Sequence, residues 1–190
     1  MTVEQRYLTP NRYSRGQGAM APFEPGVSAL VLHWTAVPGQ GADAVWRWWD
    51  GMATSDSPRY GSTHTIADED RLLEVMPYTE RAYHVGSARG YSAYAAARFG
   101  EANVSSTGSP NRSCLGIEMC VETYEGEISD GTWGTTVEWL VARCQEHAGY
   151  DPYRDIITHN MVVDWKDCPR WMVRFPSELE RMRREVAAEL

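Results

Sequence analysis

Three side chains of the kind that bind zinc stand far apart in this chain: His33, His159 and Cys168, the last two inside one stretch that runs from His159 to Pro169. A structural zinc usually takes four protein ligands from paired short motifs, whereas a catalytic zinc keeps three and leaves a position for water. The count here is three. An ion so held keeps a net positive charge and lowers the pKa of a bound water from ~15.7 toward ~7, which makes it a nucleophile at neutral pH. Such a water needs a base, and Glu118 is the candidate, because it interrupts the otherwise apolar run Cys114-Leu-Gly-Ile-Glu-Met-Cys120. A carboxylate in such a run is costly unless it has a partner or a task. Attack on an amide carbonyl would leave an oxyanion, and Lys166, two positions before Cys168, is placed to stabilise it.

Each of these residues has a plainer reading on its own. Cys168 reads as a buried thiol, Lys166 as a solvated charge, and Glu118 as half of a salt bridge with an arginine such as Arg112; the joint pattern is what favours chemistry. His64 and His84 lie near expected strand ends and compete as ligands, or else contact substrate or serve the structure. Trp34, next to His33, is expected to form one wall of a groove for a sugar or peptide, and Asn160, next to His159, to touch substrate as well. Trp46 and Trp49, three apart, are expected in the core with Trp48 outward, and His147 at a helix C-terminus, where the dipole favours it.

The elements that must hold these residues are legible from pattern. Ser28 to His33 is a short apolar run without helical period and reads as a buried strand with His33 at its C-terminal end, where open α/β sheets place their chemistry. Gly41 to Met52 carries Val45, Trp46 and Trp49 at helical spacing. Ser62 to Asp68 and Arg71 to Val75 read as a strand pair around Glu69-Asp70. Cys114 to Cys120 reads as a central strand, Gly131 to Gly149 as a helix with Val137, Leu140, Val141 and Cys144 on one face, and Asp155 to Thr158 as a strand delivering His159. Pro176 to Leu190 reads as a terminal helix with Pro in its first turn. Between Gly86 and Pro110 a surface loop with a short helix at Tyr94 to Phe99 is expected.

With 190 residues the chain is expected to form one domain, residues 28–190, able to bury roughly 70% of its unfolded surface, with residues 1–27 as an extension packed on it. Those first residues lack the apolar core of a secretory signal. The expectation is synthesis in the cytosol, with any substrate outside reached through a holin, lysis or dedicated secretion. No stretch approaches the ~20 apolar residues of a membrane helix. The net charge of -8 argues against nucleic acid, which is bound by neutralising phosphates, and gives no help in approaching any other anionic polymer. The four cysteines lack C-x-x-C spacing, so three are expected as buried small hydrophobes beside the one ligand. Oligomeric state is not readable.

With these residues in view, the chain resembles the zinc-dependent N-acetylmuramoyl-L-alanine amidases, a family that includes many phage endolysins and the catalytic peptidoglycan recognition proteins. The likeness runs through Leu8-Thr-Pro-Asn-Arg-Tyr-Ser-Arg15, Val31-Leu-His33-Trp-Thr35, Ser62-Thr-His64, Ala82-Tyr-His84-Val-Gly86, Pro110-Asn111, Leu115-Gly-Ile-Glu118-Met-Cys120 and His159 through Pro169. In the endolysin-like branch two histidines and a cysteine bind zinc, and a strand glutamate and a lysine two residues before the cysteine act in catalysis. The resemblance therefore implies His33, His159 and Cys168 as ligands and Glu118 and Lys166 as catalytic groups. It also implies an α/β fold, a central mixed sheet with helices on both faces, and peptidoglycan as substrate. The chain differs from the family's pattern at Asn160, Trp165 and Thr65. Three alternatives stand beside this reading: a cytosolic amidase recycling anhydro-muropeptides, a peptidoglycan-binding module without catalysis, and a structural zinc domain with a fourth ligand such as His64.

Overall fold

The computed structural model describes residues 3–16, 28–104, 109–147 and 149–190. Two strands form its centre. β2 (Ala29–Trp34) is buried along its whole length, as expected of a parallel strand covered on both faces. β5 (Cys114–Met119) lies parallel to it, with His33 opposite Glu118. On the far side of β2 runs β6 (Ile156–Thr158), also parallel. Beyond β5 come β3 (Thr65–Ala67), parallel to it, and β4 (Leu72–Glu74), antiparallel to β3. β1 (Val3–Gln5) closes the edge parallel to β4, giving a mixed six-stranded sheet in the order β1, β4, β3, β5, β2, β6.

Alternation along the strands sorts the core into two faces. Leu30, Leu32, Leu115 and Ile117 pack with Trp139, Leu140 and Met182 from the two long helices, α3 (Asp130–Glu146) and α7 (Pro176–Ala188). The opposite face carries Ala29, Val31, Cys114 and Ile157 against α2 (Ala93–Phe99) and the single turn α5 (His159–Val162). Farther along that face Ile66 and Leu73 meet Val45 and Trp49 of α1 (Ala42–Asp50). Helices thus lie on both faces of a mixed sheet. No helix among the described residues is long and apolar enough to cross a membrane.

Several expected boundaries shift. The strand pair is shorter than its apolar pattern, because Ser62, Thr63 and His64 lie ahead of β3. Asp155 belongs to the turn α4 (Pro152–Asp155) rather than to a strand, and α3 ends at Glu146. A further short helix, α6 (Arg170–Arg174), precedes α7. Trp49 is buried, Trp46 half-buried and Trp48 exposed, as their spacing implies, and Cys114, Cys120 and Cys144 are buried thiols. The first residues do more than pack on the domain: residues 3–5 add a strand, and Leu8 sits in the core with Val45 and Trp49. Residues 1–2 and 17–27 of the expected extension lie outside the described residues.

Candidate active site

The strand register brings the first two reacting groups together. His33 and Glu118 are paired across neighbouring parallel strands, so their side chains share one face about one strand spacing apart, roughly 4.8 Å. His159 follows β6 directly and opens α5, whose first turn is capped by the Thr158 hydroxyl accepting from the Met161 amide at 3.3 Å. Cys168 arrives on the loop after α5, tied back where the Asn160 amide donates to its carbonyl at 2.8 Å. The result is a cluster in which ligand atoms of His33, His159 and Cys168 all lie within 4.8 Å of one another. His33 Nδ1 is 3.6 Å from Cys168 Sγ.

The residues present fit a metal. His159 Nε2 is a buried polar atom with no hydrogen-bond partner among the described residues, a costly state for an imidazole nitrogen unless a cation completes it. Burial drives the His159 pKa down to about 3, with His84 and Lys166 adding to the effect. His33 is held well below its usual value, first by burial and then by His159, His84 and Lys166. Both rings are therefore neutral, the form in which imidazole ligates, while the Cys168 thiol is pushed up by burial and must release its proton to bind. Burial also raises Glu118 to about 8, with no neighbouring charge or hydrogen bond to offset it. Among the described residues the salt bridge with Arg112 is not made; part-buried ion pairs form elsewhere, such as Arg15–Glu80 and Arg98–Asp155.

These five residues line one cleft of about 310 Å³, open to solvent and walled by Trp34, Trp49, Tyr60 and Tyr83. A second hollow of about 300 Å³, bordered by Val37 and Trp48, shares Glu118 and Trp49 with the first as lining residues. Trp34 is nearly covered, with the Arg170 guanidinium 4.7 Å from its ring centre and Gly126 packed against its edge at a φ of 89° that a side chain would strain. Lys166 is the chain's single lysine against seventeen arginines. Its Nζ lies 4.7 Å from the Trp165 ring centre, with Arg89 at 4.8 Å from the same ring.

The other expected contacts are placed differently. His64 is wholly buried and does not line the cleft: its Nδ1 accepts from the Gly116 amide at 3.1 Å and its Nε2 meets the Glu80 carbonyl at 2.9 Å. It is neither a fourth ligand nor open to substrate. Asn160 also turns away, its side-chain amide donating to the carbonyls of Asp164 and Lys166 at 3.0 and 2.7 Å. His84 reaches the cleft wall with both ring nitrogens engaged, Nδ1 with His33 Nε2 at 2.9 Å and Nε2 with the Cys114 carbonyl at 3.0 Å. Thr65 faces the α3 side, its hydroxyl 2.9 Å from that of Tyr78. The tyrosines of the rim, unlike Trp34, carry no signal in the sequence. Tyr60 packs edge-on against Tyr83 and against Tyr13 of the first segment, whose carbonyl accepts from the Gly61 amide at 3.1 Å; a spaced set of tyrosines in loops carries no period from which to read this.

Such a sheet, with two imidazoles, a thiol, a carboxyl and an ammonium gathered at the ends of its central strands, defines an α/β domain built around a three-ligand, metal-type centre. The chain belongs to the N-acetylmuramoyl-L-alanine amidase family, whose model matches residues 23–171. It is 29% identical over 185 residues to a probable N-acetylmuramoyl-L-alanine amidase of Bacillus licheniformis, covering 97% of this chain and 47% of that one. It is 29% identical over 186 residues to the N-acetylmuramoyl-L-alanine amidase BlyA of Bacillus subtilis (strain 168), with 97% and 46% covered. The chain thus spans about half the length of the curated relatives it matches. Among solved structures, the catalytic domain of XlyA superposes with a TM-score of 0.63 at 18% identity, covering 96% of this chain and 99% of that one. The solution structure of the PlyG catalytic domain gives 0.65 at 16%, covering 98% and 96%; these likenesses concern the fold.

Proposed function

We propose that this chain is a zinc-dependent N-acetylmuramoyl-L-alanine amidase that hydrolyses the bond between the lactyl group of N-acetylmuramic acid and the L-alanine of the stem peptide, acting on the cell wall after release from the cell. The observation that carries the reading is the convergence of His33, His159 and Cys168 with Glu118 and Lys166 on one open cleft. Zinc held by the two imidazoles and the thiolate would supply a Lewis acid that polarises the amide carbonyl and activates water at neutral pH.

The chain's own residues do the rest. Glu118, beside His33 in the register, accepts the proton of the attacking water and returns one to the leaving amine of L-alanine. Burial, which raises its pKa to about 8, makes it a strong enough base for this, and a metal held by the adjacent His33, His159 and Cys168 would favour its ionised form. Lys166 holds its ammonium toward the carbonyl oxygen as charge develops there. The aromatic walls of the cleft and the neighbouring hollow that Glu118 also lines accept the sugar and peptide parts of the substrate.

Glu118→Gln keeps shape and hydrogen bonding but cannot take a proton. It is expected to retain one zinc per chain while turnover of purified peptidoglycan falls by at least about a hundredfold. Zinc content by elemental analysis and release of stem peptides with a free L-alanine N-terminus test both halves; full turnover in the variant would remove Glu118 from the mechanism.

A further inference from the structure

We infer that His84 is a positioning residue that fixes the tautomer of His33, and that Gly116 is the strand position that makes room for it. The inference rests on the metal-centre reading above but is carried by hydrogen-bond logic alone. His84 Nε2 lies 3.0 Å from the Cys114 carbonyl. A carbonyl oxygen only accepts, so this nitrogen bears the proton. The ring is buried with other imidazoles and has no carboxylate partner among the described residues, and so is neutral, with a lone pair on Nδ1. That lone pair faces His33 Nε2 at 2.9 Å, so His33 must donate from Nε2. Its Nδ1 is then left unprotonated, and this is the atom that looks toward Cys168 Sγ at 3.6 Å. The chain of bonds from the Cys114 carbonyl through His84 to His33 thus presents a ligand lone pair to the centre before any ion arrives.

Two further features hold the relay in place. Asn111 Oδ1 accepts from the backbone amides of His84 and Val85 at 3.0 and 2.8 Å, fixing where the ring leaves the chain. On the sheet side, a Cβ at position 116 would fall 2.6 Å from His84 Nδ1 and 2.9 Å from its Cε1, closer than real carbon contacts allow. The glycine's absent side chain is the niche in which the ring lies. The same strand therefore serves the centre three times: an acceptor carbonyl at 114, a niche at 116 and the carboxylate at 118.

The test begins with the metal-free protein, uniformly labelled with 15N, where long-range proton–nitrogen correlations of the rings report which nitrogen is protonated. His33 and His84 are both expected as Nε2–H tautomers. His84→Ala removes the acceptor, so His33 should lose its single tautomer and zinc affinity, measured by competition with a chelator, should weaken about 10- to 100-fold. Gly116→Ala should do the same with His84 still present, by displacing the ring. His84→Asn returns an acceptor oxygen near the Nδ1 position and is expected to recover most of both signals. The idea is overturned if His33 remains Nε2–H in His84→Ala, or if folded Gly116→Ala binds zinc as tightly as the parent. The tautomer readout needs neither zinc nor substrate, so failure of the amidase reading would leave it standing, and its failure would leave amidase activity untouched.

Discussion

A carboxyl group at position 118 is costly to the fold that carries it. With no cation in contact, burial raises its pKa from 4.5 to about 8. The folded metal-free protein therefore holds that proton where the unfolded chain has lost it, and stability falls as pH rises from about 4.5 to about 8. Glu118→Gln removes the dependence. At pH 8 the chelated variant should be more stable than the parent by on the order of 2 kcal/mol, after discounting for the group's residual solvent contact, and nearly equal to it at pH 4.5. Urea denaturation at the two pH values measures this, and equal midpoints at pH 8 would mean that Glu118 is not under strain. The same substitution is expected to abolish turnover, so position 118 trades stability for chemistry.

At the scale of elements, the centre depends on how the segment from His159 to Cys168 is held. Asn160 clamps it, its side-chain amide spanning the carbonyls of Asp164 and Lys166 while its backbone meets Cys168. Asn160→Ala leaves those acceptors to water and should destabilise the protein by about 0.5–1.5 kcal/mol. Because the loop carries both Lys166 and Cys168, kcat should fall several-fold at saturating zinc; thermal unfolding and initial rates check the two effects, and an unchanged rate would separate the clamp from catalysis. The sequence makes β2 and β5 legible because continuous apolar runs between breakers have few other fates, and α1 because Val45 and Trp49 repeat at helical spacing. β1 was hidden, since three residues at a sheet edge carry no period. The turns α4 to α6 are too short to show one. His33, His159, Cys168, Glu118 and Lys166 were readable as types of residue with a joint chemistry. The engagements of His64, His84 and Asn160 were not, because each is decided by backbone groups that only the folded chain brings near.

Taken as a whole, the molecule is acidic, with a net charge of -8, and several of its arginines are spent on carboxylates, as in the Arg6, Arg71, Glu4 and Asp43 network and the Arg15–Glu80 pair. An acidic domain approaches an anionic wall against a repulsion that salt screens over a Debye length of about 10 Å at 0.1 M. Its rate on intact walls should therefore rise as ionic strength increases from about 10 to 150 mM, while its rate on a small uncharged muramoyl amide stays flat. Turbidity clearing and product release across a salt series compare the two, and a falling wall rate would point to cationic recognition elsewhere on the surface.

The cluster of His33, His159 and Cys168 is proposed as the zinc centre that cleaves the lactyl amide. Its most direct test is mass spectrometry of purified peptidoglycan after digestion with zinc-loaded and chelator-stripped protein. Stem peptides with a free L-alanine N-terminus should appear with the zinc-loaded protein, vanish after chelation and return when zinc is restored. Release of the same peptides at an equal rate by the stripped protein, or cleavage at any other bond, would contradict it.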